Sequence, residues 1–246
     1  MPENPTPPSS ATHRTPEDDP RASRRRFLLL GLGALLTGCT EPRSARLLPG
    51  PAWEACPVPR PPVEGPAVAA APRPAGPSFP GVLSRARWAS GRPIPVRMNT
   101  MLPVRYITVH HDGMDPFTDD DARAAAHRLD AIRRAHVNLG WGDVGYHFAV
   151  DRAGNVWEGR PLTWQGAHVK NHNEHNIGVV ALGNFDRQQP SRAQLDALRR
   201  HVCLLMSTYN VPATRLRTHQ EWAPTACPGR SLQRYMVAKR DHGAFG

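Results

Sequence analysis

The sequence predicts a mixed α/β domain, and three observations lead to that fold class. From about Phe79 onward, short apolar runs with strand character alternate with segments whose apolar residues recur at helical spacing. The run "NIGVVALGN", residues 176–184, is almost continuously apolar, as expected of a strand covered on both faces. Eleven of the 27 prolines fall within residues 49–80, where no periodic apolar pattern occurs. That stretch is typical of an extended tether, so we predict one folded domain over residues 79–246.

The first half of this domain contains a strand, a helix and a hairpin. The run "RYITVH", residues 105–110, predicts a strand. Thr118 and the acidic residues 119–121 predict a helix start, because oxygen-bearing side chains cap the free N–H groups of a first turn. An apolar stripe at helical spacing follows, formed by Ala122, Ala126, Leu129 and Ile132. In "GYHFAVDRAGNVWEGR", residues 145–160, the central Ala-Gly-Asn predicts a turn between two short strands.

The second half contains two further predicted helices after the apolar strand. Ser191 is a cap residue ahead of an apolar stripe at helical spacing, formed by Leu195, Leu198, Val202, Leu205 and Tyr209. The segment "SLQRYMVAKR", residues 231–240, predicts the third helix. Cys203 falls within the pattern of the second helix, where it is expected to pack as a small apolar residue.

The first 38 residues are predicted to be a signal peptide. The segment "SRRRFLLLGLGALLTGC", residues 23–39, joins a basic cluster to an apolar stretch too short to span a bilayer comfortably. "SRRRFL" resembles the twin-arginine export motif, and "LTGC" resembles a lipoprotein signal-peptidase box that ends at Cys39. We therefore expect export to the cell envelope, either to the periplasm or to the outer face of a membrane, with lipidation of Cys39. A proline-rich tether over residues 39–78 would separate the domain from the membrane.

The formal net charge is +10, and residues 1–38 contribute only one of those positive charges. A basic surface favours an anionic partner, and a solvated basic face without a partner is an equal alternative. Nucleic acid is not expected, because the chain carries export signals and has neither basic blocks with interleaved aromatic residues nor zinc-finger spacing. An anionic cell-wall polymer fits the predicted compartment better.

A metal site is indicated by "YITVHHDG", residues 106–113, together with "RTHQEWAPTACPGR", residues 217–230. One histidine of the pair His110 and His111, with His219 and Cys227, gives two nitrogens and one sulfur, a ligand set found in catalytic zinc sites. Neighbouring strand residues point to opposite faces, so only one of the pair easily reaches a shared centre, and alternation does not choose which. A disulfide from Cys227 to Cys56 or Cys203 is the alternative.

The motifs "VHH", "GYHFAVDRAGNVWEGR", "GAH", "NIGVVALGNF" and "TH" followed eight positions later by "CPG" occur together and in order. In this the chain resembles zinc-dependent N-acetylmuramoyl-L-alanine amidases, above all the branch of peptidoglycan recognition proteins and phage-lysozyme-type amidases. The resemblance covers about residues 82–238 and includes the entry segment "SRARWA", residues 84–89. It implies a central mixed β-sheet flanked by helices, with a zinc-containing groove on one face.

The resemblance also implies a site. It makes His110, His219 and Cys227 the Zn²⁺ ligands and leaves His111 as a packing or hydrogen-bonding residue. It gives Tyr146 and Thr225 catalytic roles, since a phenol can donate to the oxyanion on a scissile carbonyl and a hydroxyl can bond water or substrate.

For substrate binding the resemblance implies His168 and Asn176, at the edge of the groove. Because His168, His172 and His175 do not share one helical face, a second metal site in this tract is not favoured, and His127 and His136 are expected to be exposed on the first helix. Related amidases of the cytoplasmic recycling type place a glutamate base where this chain has Val180, a departure that argues against a carboxylate base from that strand.

The implied function is hydrolysis of the amide between the lactyl group of N-acetylmuramic acid and L-alanine of peptidoglycan stem peptides. The partners would be peptidoglycan and, through Cys39, a membrane, and the chain is expected to act as a monomer. The alternative is a non-catalytic peptidoglycan-binding lipoprotein that ties membrane to cell wall, as the long tether suggests.

Overall fold

The computed structural model describes residues 77–245. The predicted signal peptide, the predicted lipidation site Cys39, Cys56 and the predicted tether up to residue 76 lie outside this range. Within it the core is a six-stranded sheet. Its strands are β1 (Val82–Leu83), β2 (Tyr106–His111), β3 (Phe148–Val150), β4 (Val156–Glu158), β5 (Asn176–Ala181) and β6 (Leu216–Thr218).

The sheet has the order β1-β4-β3-β5-β2-β6. Strands β3 and β4 form an antiparallel hairpin, and the other pairs are parallel, so the sheet is mixed. The predicted fold class is therefore confirmed. The parallel neighbours β5, β2 and β6 form one edge of the sheet, and their carboxyl ends lie side by side.

The α-helices of the described chain are α1 (Ala122–Asn138), α2 (Arg192–Tyr209) and α3 (Arg230–Asp241). The carboxylate of Asp121 caps α1 by accepting from the N–H of Arg123 at 2.9 Å, so the last acidic residue starts this helix and Thr118 lies ahead of it. Ser191 caps α2, as predicted, by accepting from the N–H of Gln194 at 3.0 Å. No helix in residues 77–245 combines the length and apolar character needed to cross a bilayer.

Strand alternation gives the sheet two different faces. One face packs against α2 and α3 through a fully buried cluster that includes Ile107, Val109, Ile177, Val179, Leu198, Leu205 and Leu232. On the other face, residues of α1 pack with Ala149, Trp157 and Val180 in a second buried cluster. Because β2 and β5 are paired in register, the side chains of Thr108 and His110 lie on that second face.

Candidate metal centre and groove

The three predicted metal ligands lie together at the carboxyl edge of the sheet. His110 lies near the end of β2, His219 directly follows β6, and Cys227 lies in the loop before α3. Their ligand atoms are all within 4.8 Å of one another. All three side chains are buried, with 0%, 7% and 1% of their surface exposed.

The sheet itself brings the two histidines together. Strands β2 and β6 are parallel neighbours in which Val109 is paired with Thr218, and the residue that follows each of these two is a ligand histidine. The two imidazole rings have centroids 4.8 Å apart. Parallel strands end at the same edge, which is where open α/β sheets form their binding sites.

The loop from His219 to Cys227 is held at both ends, and this returns the cysteine to the histidines. The N–H of Gln220 donates to the carbonyl of Cys227 at 3.0 Å, which closes the loop. At its start, the carboxylate of Glu221 accepts from the N–H of Thr218 and from the guanidinium of Arg240 on α3. Because this ion pair is partly buried, α3 stabilises the position of the loop that carries two of the ligands.

The donor set fits zinc. Two ligands of one tetrahedral zinc ion lie about 3.3–3.8 Å apart, and the Sγ of Cys227 is 3.5 Å from the Nδ1 of His110. Burial holds the pKa of His110 well below its usual value of 6.5 and lowers that of His219 to about 4. Both imidazoles are therefore neutral at pH 7 and offer lone pairs. Burial raises the pKa of the Cys227 thiol, so metal binding there has to displace a proton.

His111 turns away from this cluster, as strand alternation requires. Its Nδ1 accepts from the backbone N–H of Phe185 at 3.2 Å, and its own backbone N–H points to the Sγ of Cys227 at 3.4 Å. A backbone N–H directed at a sulfur favours the thiolate. His111 is thus a hydrogen-bonding residue, and its backbone contacts the sulfur that its side chain does not reach.

Tyr146 lies beside the ligands, with its ring centroid 5.2 Å from that of His110. Only 3% of its surface is exposed. Burial, with smaller effects from Cys227 and Asp112, raises its pKa well above 10, so the phenol keeps its proton at neutral pH and can donate it in a hydrogen bond.

Thr225 is half-buried two residues before Cys227. Its hydroxyl oxygen accepts from the N–H of Cys227 at 3.2 Å, which leaves its own proton available to donate. The hydroxyl therefore belongs to the ligand loop and stabilises the turn that precedes Cys227.

The predicted substrate ligands His168 and Asn176 have buried side chains, with 1% and 0% of their surface exposed. His168 contacts His110, and the Asn176 side chain accepts from the hydroxyl of Thr108 at 2.9 Å. Both side chains lie beneath the ligands, and their contact with substrate stays a prediction. The other two histidines of the tract point elsewhere: His172 stacks on Trp222 and His175 donates to the carbonyl of Pro103.

One expectation about α1 is wrong. His136 was expected to be exposed, but it is 7% exposed, and its Nδ1 accepts from the N–H of Gly145 at 3.0 Å. Its ring centroid lies 5.9 Å from that of Tyr146. Because it bonds the N–H of Gly145, His136 supports the backbone next to the tyrosine. The signal was present in the sequence, because Leu129, Ile132 and His136 follow one another at helical spacing on the buried face. His127 is exposed, as expected.

Two alternatives to this metal centre are not supported within residues 77–245. Cys203 and Cys227 are both free thiols there, so they do not form a disulfide with each other. Among these residues no second group of three His, Cys, Asp or Glu side chains converges as a metal site requires.

Comparison with known proteins agrees with this geometry. The family model described as N-acetylmuramoyl-L-alanine amidase matches residues 100–230. The chain is 32% identical over 160 residues to an N-acetylmuramoyl-L-alanine amidase of Sus scrofa, covering 62% of this chain and 26% of that protein. It is 38% identical over 109 residues to the endolysin of Escherichia phage T7, covering 42% of this chain and 71% of that protein.

A solved structure gives the same fold. Drosophila peptidoglycan recognition protein LB superposes with a TM-score of 0.58 at 26% identity, over 64% of this chain and 92% of that chain. The chain spans about a quarter of the length of the mammalian amidases that it matches. The similarity is therefore that of one domain.

Proposed function

The chain belongs to the N-acetylmuramoyl-L-alanine amidase family, and from that premise we propose that it is an exported zinc hydrolase of peptidoglycan. The bond cut is the amide between the lactyl group of N-acetylmuramic acid and L-alanine of the stem peptide. The observation that carries this proposal is the convergence of His110, His219 and Cys227 within 4.8 Å, beside a buried tyrosine. A non-catalytic role gives no reason for a cysteine to complete this set.

Zn²⁺, when bound by these three residues, would supply Lewis-acid polarisation of the scissile carbonyl and a water of lowered pKa. The residues of the chain supply the rest. The phenol of Tyr146 donates a hydrogen bond to the carbonyl oxygen as negative charge develops on it, because its raised pKa keeps it protonated. The hydroxyl oxygen of Thr225 accepts from the N–H of Cys227, and its own proton is available for a hydrogen bond to water or substrate.

No carboxylate base is proposed from β5. Val180, which is paired with His110 across the two strands, is fully buried against α1 and has no acidic group. Without a carboxylate on β5, the attacking water loses its proton to solvent or to a neighbouring hydroxyl. The leaving amine of alanine takes up a proton from the same sources. This supports a mechanism assisted by Tyr146 and Thr225 in place of a general-base carboxylate.

The compartment is proposed from the motifs alone. The twin-arginine motif at Arg24 and Arg25 supports export, and the box ending at Cys39 supports a lipid anchor, so the proposed location is the outer side of a membrane facing the cell wall. Peptidoglycan is the proposed partner, consistent with the basic charge of the chain. Action as a monomer stays a prediction.

The test is release of stem peptides from purified peptidoglycan by the full chain, compared among zinc-loaded protein, chelator-treated protein and a Cys227→Ala variant. Of these three samples, we expect only the zinc-loaded wild type to release peptides that begin with L-alanine. Cys203→Ala is the matched control, because it removes a free cysteine from α2 away from the groove and should retain activity. Wall binding by the loaded protein without any release would instead support the non-catalytic lipoprotein.

A further inference from the structure

A buried chain of hydrogen bonds lies behind the metal ligand His110. Its Nε2 is 3.0 Å from the Nδ1 of His168, and the Nε2 of His168 is 3.1 Å from the backbone carbonyl oxygen of Asn176. The two imidazoles are 0% and 1% exposed, so solvent does not compete for these bonds. The nitrogen of His110 that faces the sulfur of Cys227 is the other one, Nδ1.

The donor and acceptor of each hydrogen bond follow from the last bond in the series, which ends at the carbonyl of Asn176. A carbonyl oxygen can only accept, so the Nε2 of His168 must carry the hydrogen of that bond. In a neutral imidazole the Nδ1 of His168 then has a bare lone pair and accepts from the Nε2–H of His110. With its hydrogen on Nε2, His110 presents a lone pair on Nδ1, directed towards Cys227.

Two glycines leave room for the ring of His168. A Cβ placed on Gly166 would lie 2.4 Å from its Cδ2 atom, and a Cβ on Gly178 would lie 2.5 Å from the same atom. No side chain larger than hydrogen fits at either position while the ring stays where it is. The motifs "GAH" and "NIG" thus each contribute a glycine that makes room for one imidazole.

Hydrogen bonds from neighbouring side chains also fix the backbone around His168. The side-chain oxygen of Asn173 accepts from the N–H groups of His168 and Val169 at 2.7 and 2.9 Å. The side chain of Asn176 is bonded on both sides, to the hydroxyl of Thr108 and to the carbonyl of His172. The carbonyl that ends the hydrogen-bond chain is therefore immobilised as well.

We propose that His168 is a positioning residue that sets the tautomer and the orientation of His110, so that Nδ1 is the nitrogen offered to the metal. This replaces the predicted contact of His168 with substrate, and it rests on the proposed function for the identity of the metal. A partner that orients a metal-bound histidine typically changes metal affinity about 10–100-fold when removed.

The experiment compares wild type, His168→Phe, His168→Asn and His201→Phe as full-length proteins. Phenylalanine keeps the ring shape without an acceptor, whereas the amide oxygen of asparagine can replace Nδ1 as the acceptor. His201→Phe is the matched control, because His201 is also a buried histidine and packs against Phe79 and Phe148 on the opposite face of the sheet. Unfolding in urea establishes that each variant is folded.

The first readout is the ¹⁵N NMR signature of the His110 ring in metal-free protein, which distinguishes hydrogen on Nε2 from hydrogen on Nδ1. We expect the Nε2–H form in wild type, His168→Asn and His201→Phe, and a mixture in His168→Phe. The second readout is zinc affinity by competition with a chromophoric chelator. We expect about 10–100-fold weaker binding for His168→Phe and affinity within a few-fold of wild type for the other two.

The Nδ1–H form of His110 in the wild type would overturn the proposal, even if His168→Phe did not fold. Unchanged tautomer and zinc affinity in a folded His168→Phe would overturn it as well, while leaving the amidase proposal intact. If the wild type binds no zinc, the proposed function fails, and the NMR readout still decides the role of His168.

Discussion

At the scale of single residues, burial and one neighbouring group decide what each histidine does. His110 and His111 are adjacent, yet one offers a ring nitrogen to the metal cluster and the other accepts from the backbone of Phe185. His201 packs between aromatic rings on the other face of the sheet. The same side chain thus serves as a ligand, a backbone acceptor and a packing residue.

Replacing Tyr146 by Phe removes the proposed donor to the oxyanion without removing a metal ligand. We expect kcat for stem-peptide release to fall about 100- to 1000-fold, the usual effect of losing one such donor. Zinc affinity should be unchanged. Tyr235→Phe is the control, because its hydroxyl donates to the carbonyl of Leu195 on the α2 and α3 side and should leave kcat near the wild-type value. A Tyr146→Phe protein with full kcat would contradict the proposed role.

We predict that His201 makes the free energy of unfolding depend on pH. Burial lowers its pKa to about 4, against about 6.5 in the unfolded chain. At pH values above about 6.5, His201 is neutral in both the folded and the unfolded chain, so it does not change the free energy of unfolding. As pH falls from about 6.5 to about 4, the unfolded chain takes up a proton that the folded chain refuses, so stability falls by up to on the order of 3 kcal/mol.

The measurement is the free energy of unfolding in urea of wild type and His201→Phe, at about pH 7 and about pH 4.5. We expect the wild type to lose more stability than the variant on acidification, because other titrating groups are common to both. The control is His127→Phe, which replaces an exposed histidine. Its loss of stability on acidification should equal that of the wild type. Parallel losses in wild type and His201→Phe would count against this assignment.

At the scale of elements, β5 shows how a strand can be apolar and still shape a polar site. Its six residues are all buried, and alternate residues face α2 or the groove side. Three residues of the strand face the groove side. Asn176 contributes an amide, Gly178 has no side chain, and Val180 contributes an apolar group. The space at Gly178 receives the ring of His168.

Gly178→Ala should therefore disturb β5 by overpacking. Its Cβ would lie 2.5 Å from the His168 ring, and such insertions cost about 1–3 kcal/mol. In a His168→Ala background the ring is gone, and the same substitution should cost at least about 1 kcal/mol less. A double-mutant cycle of unfolding free energies measures this coupling. Additive effects of the two substitutions would show that the glycine serves some purpose other than housing this ring.

Most elements could be predicted from the sequence because they depend on local signals. Ser191 caps α2, the turn at Gly154 joins β3 to β4, and α3 spans Arg230–Asp241, close to the predicted segment. Strand β6 was not predicted, because three residues carry no measurable periodicity. The burial of His136 was missed because a polar residue on the apolar face of α1 interrupts the hydrophobic pattern without leaving the face.

At the scale of the whole molecule, the site depends on which strands become neighbours. His110 and His219 meet because β6 lies beside β2, a pairing that joins segments more than 100 residues apart and that no local pattern encodes. The ligand residues could be named from the resemblance, but the hydrogen bond from His110 to His168 could not, since it requires the loop at residue 168 to lie beneath β2. Sequence motifs thus indicated which residues act, and the topology determines how they are oriented.

The proposed lipid anchor and the proposed metal centre lie in different parts of the sequence. All proposed site residues lie in residues 77–245, whereas the proposed lipid anchor is Cys39. An extended tether of about 3.1 Å per residue would let the domain reach on the order of 100 Å from the membrane. Removing the anchor should therefore change where the protein resides without changing its chemistry.

Cys39→Ser tests this separation. We expect the variant to lose incorporation of labelled fatty acid and to move from the detergent phase to the aqueous phase on partitioning, because a serine hydroxyl replaces the thiol that would carry the lipid. Its kcat on purified, soluble peptidoglycan fragments should equal that of wild type, since the site residues are untouched. Cys203→Ser, which alters a cysteine of α2, should keep the lipid and the detergent phase. Retention of Cys39→Ser with the membrane would mean that attachment depends on another part of the chain, and loss of kcat would mean that the anchor and the groove are coupled.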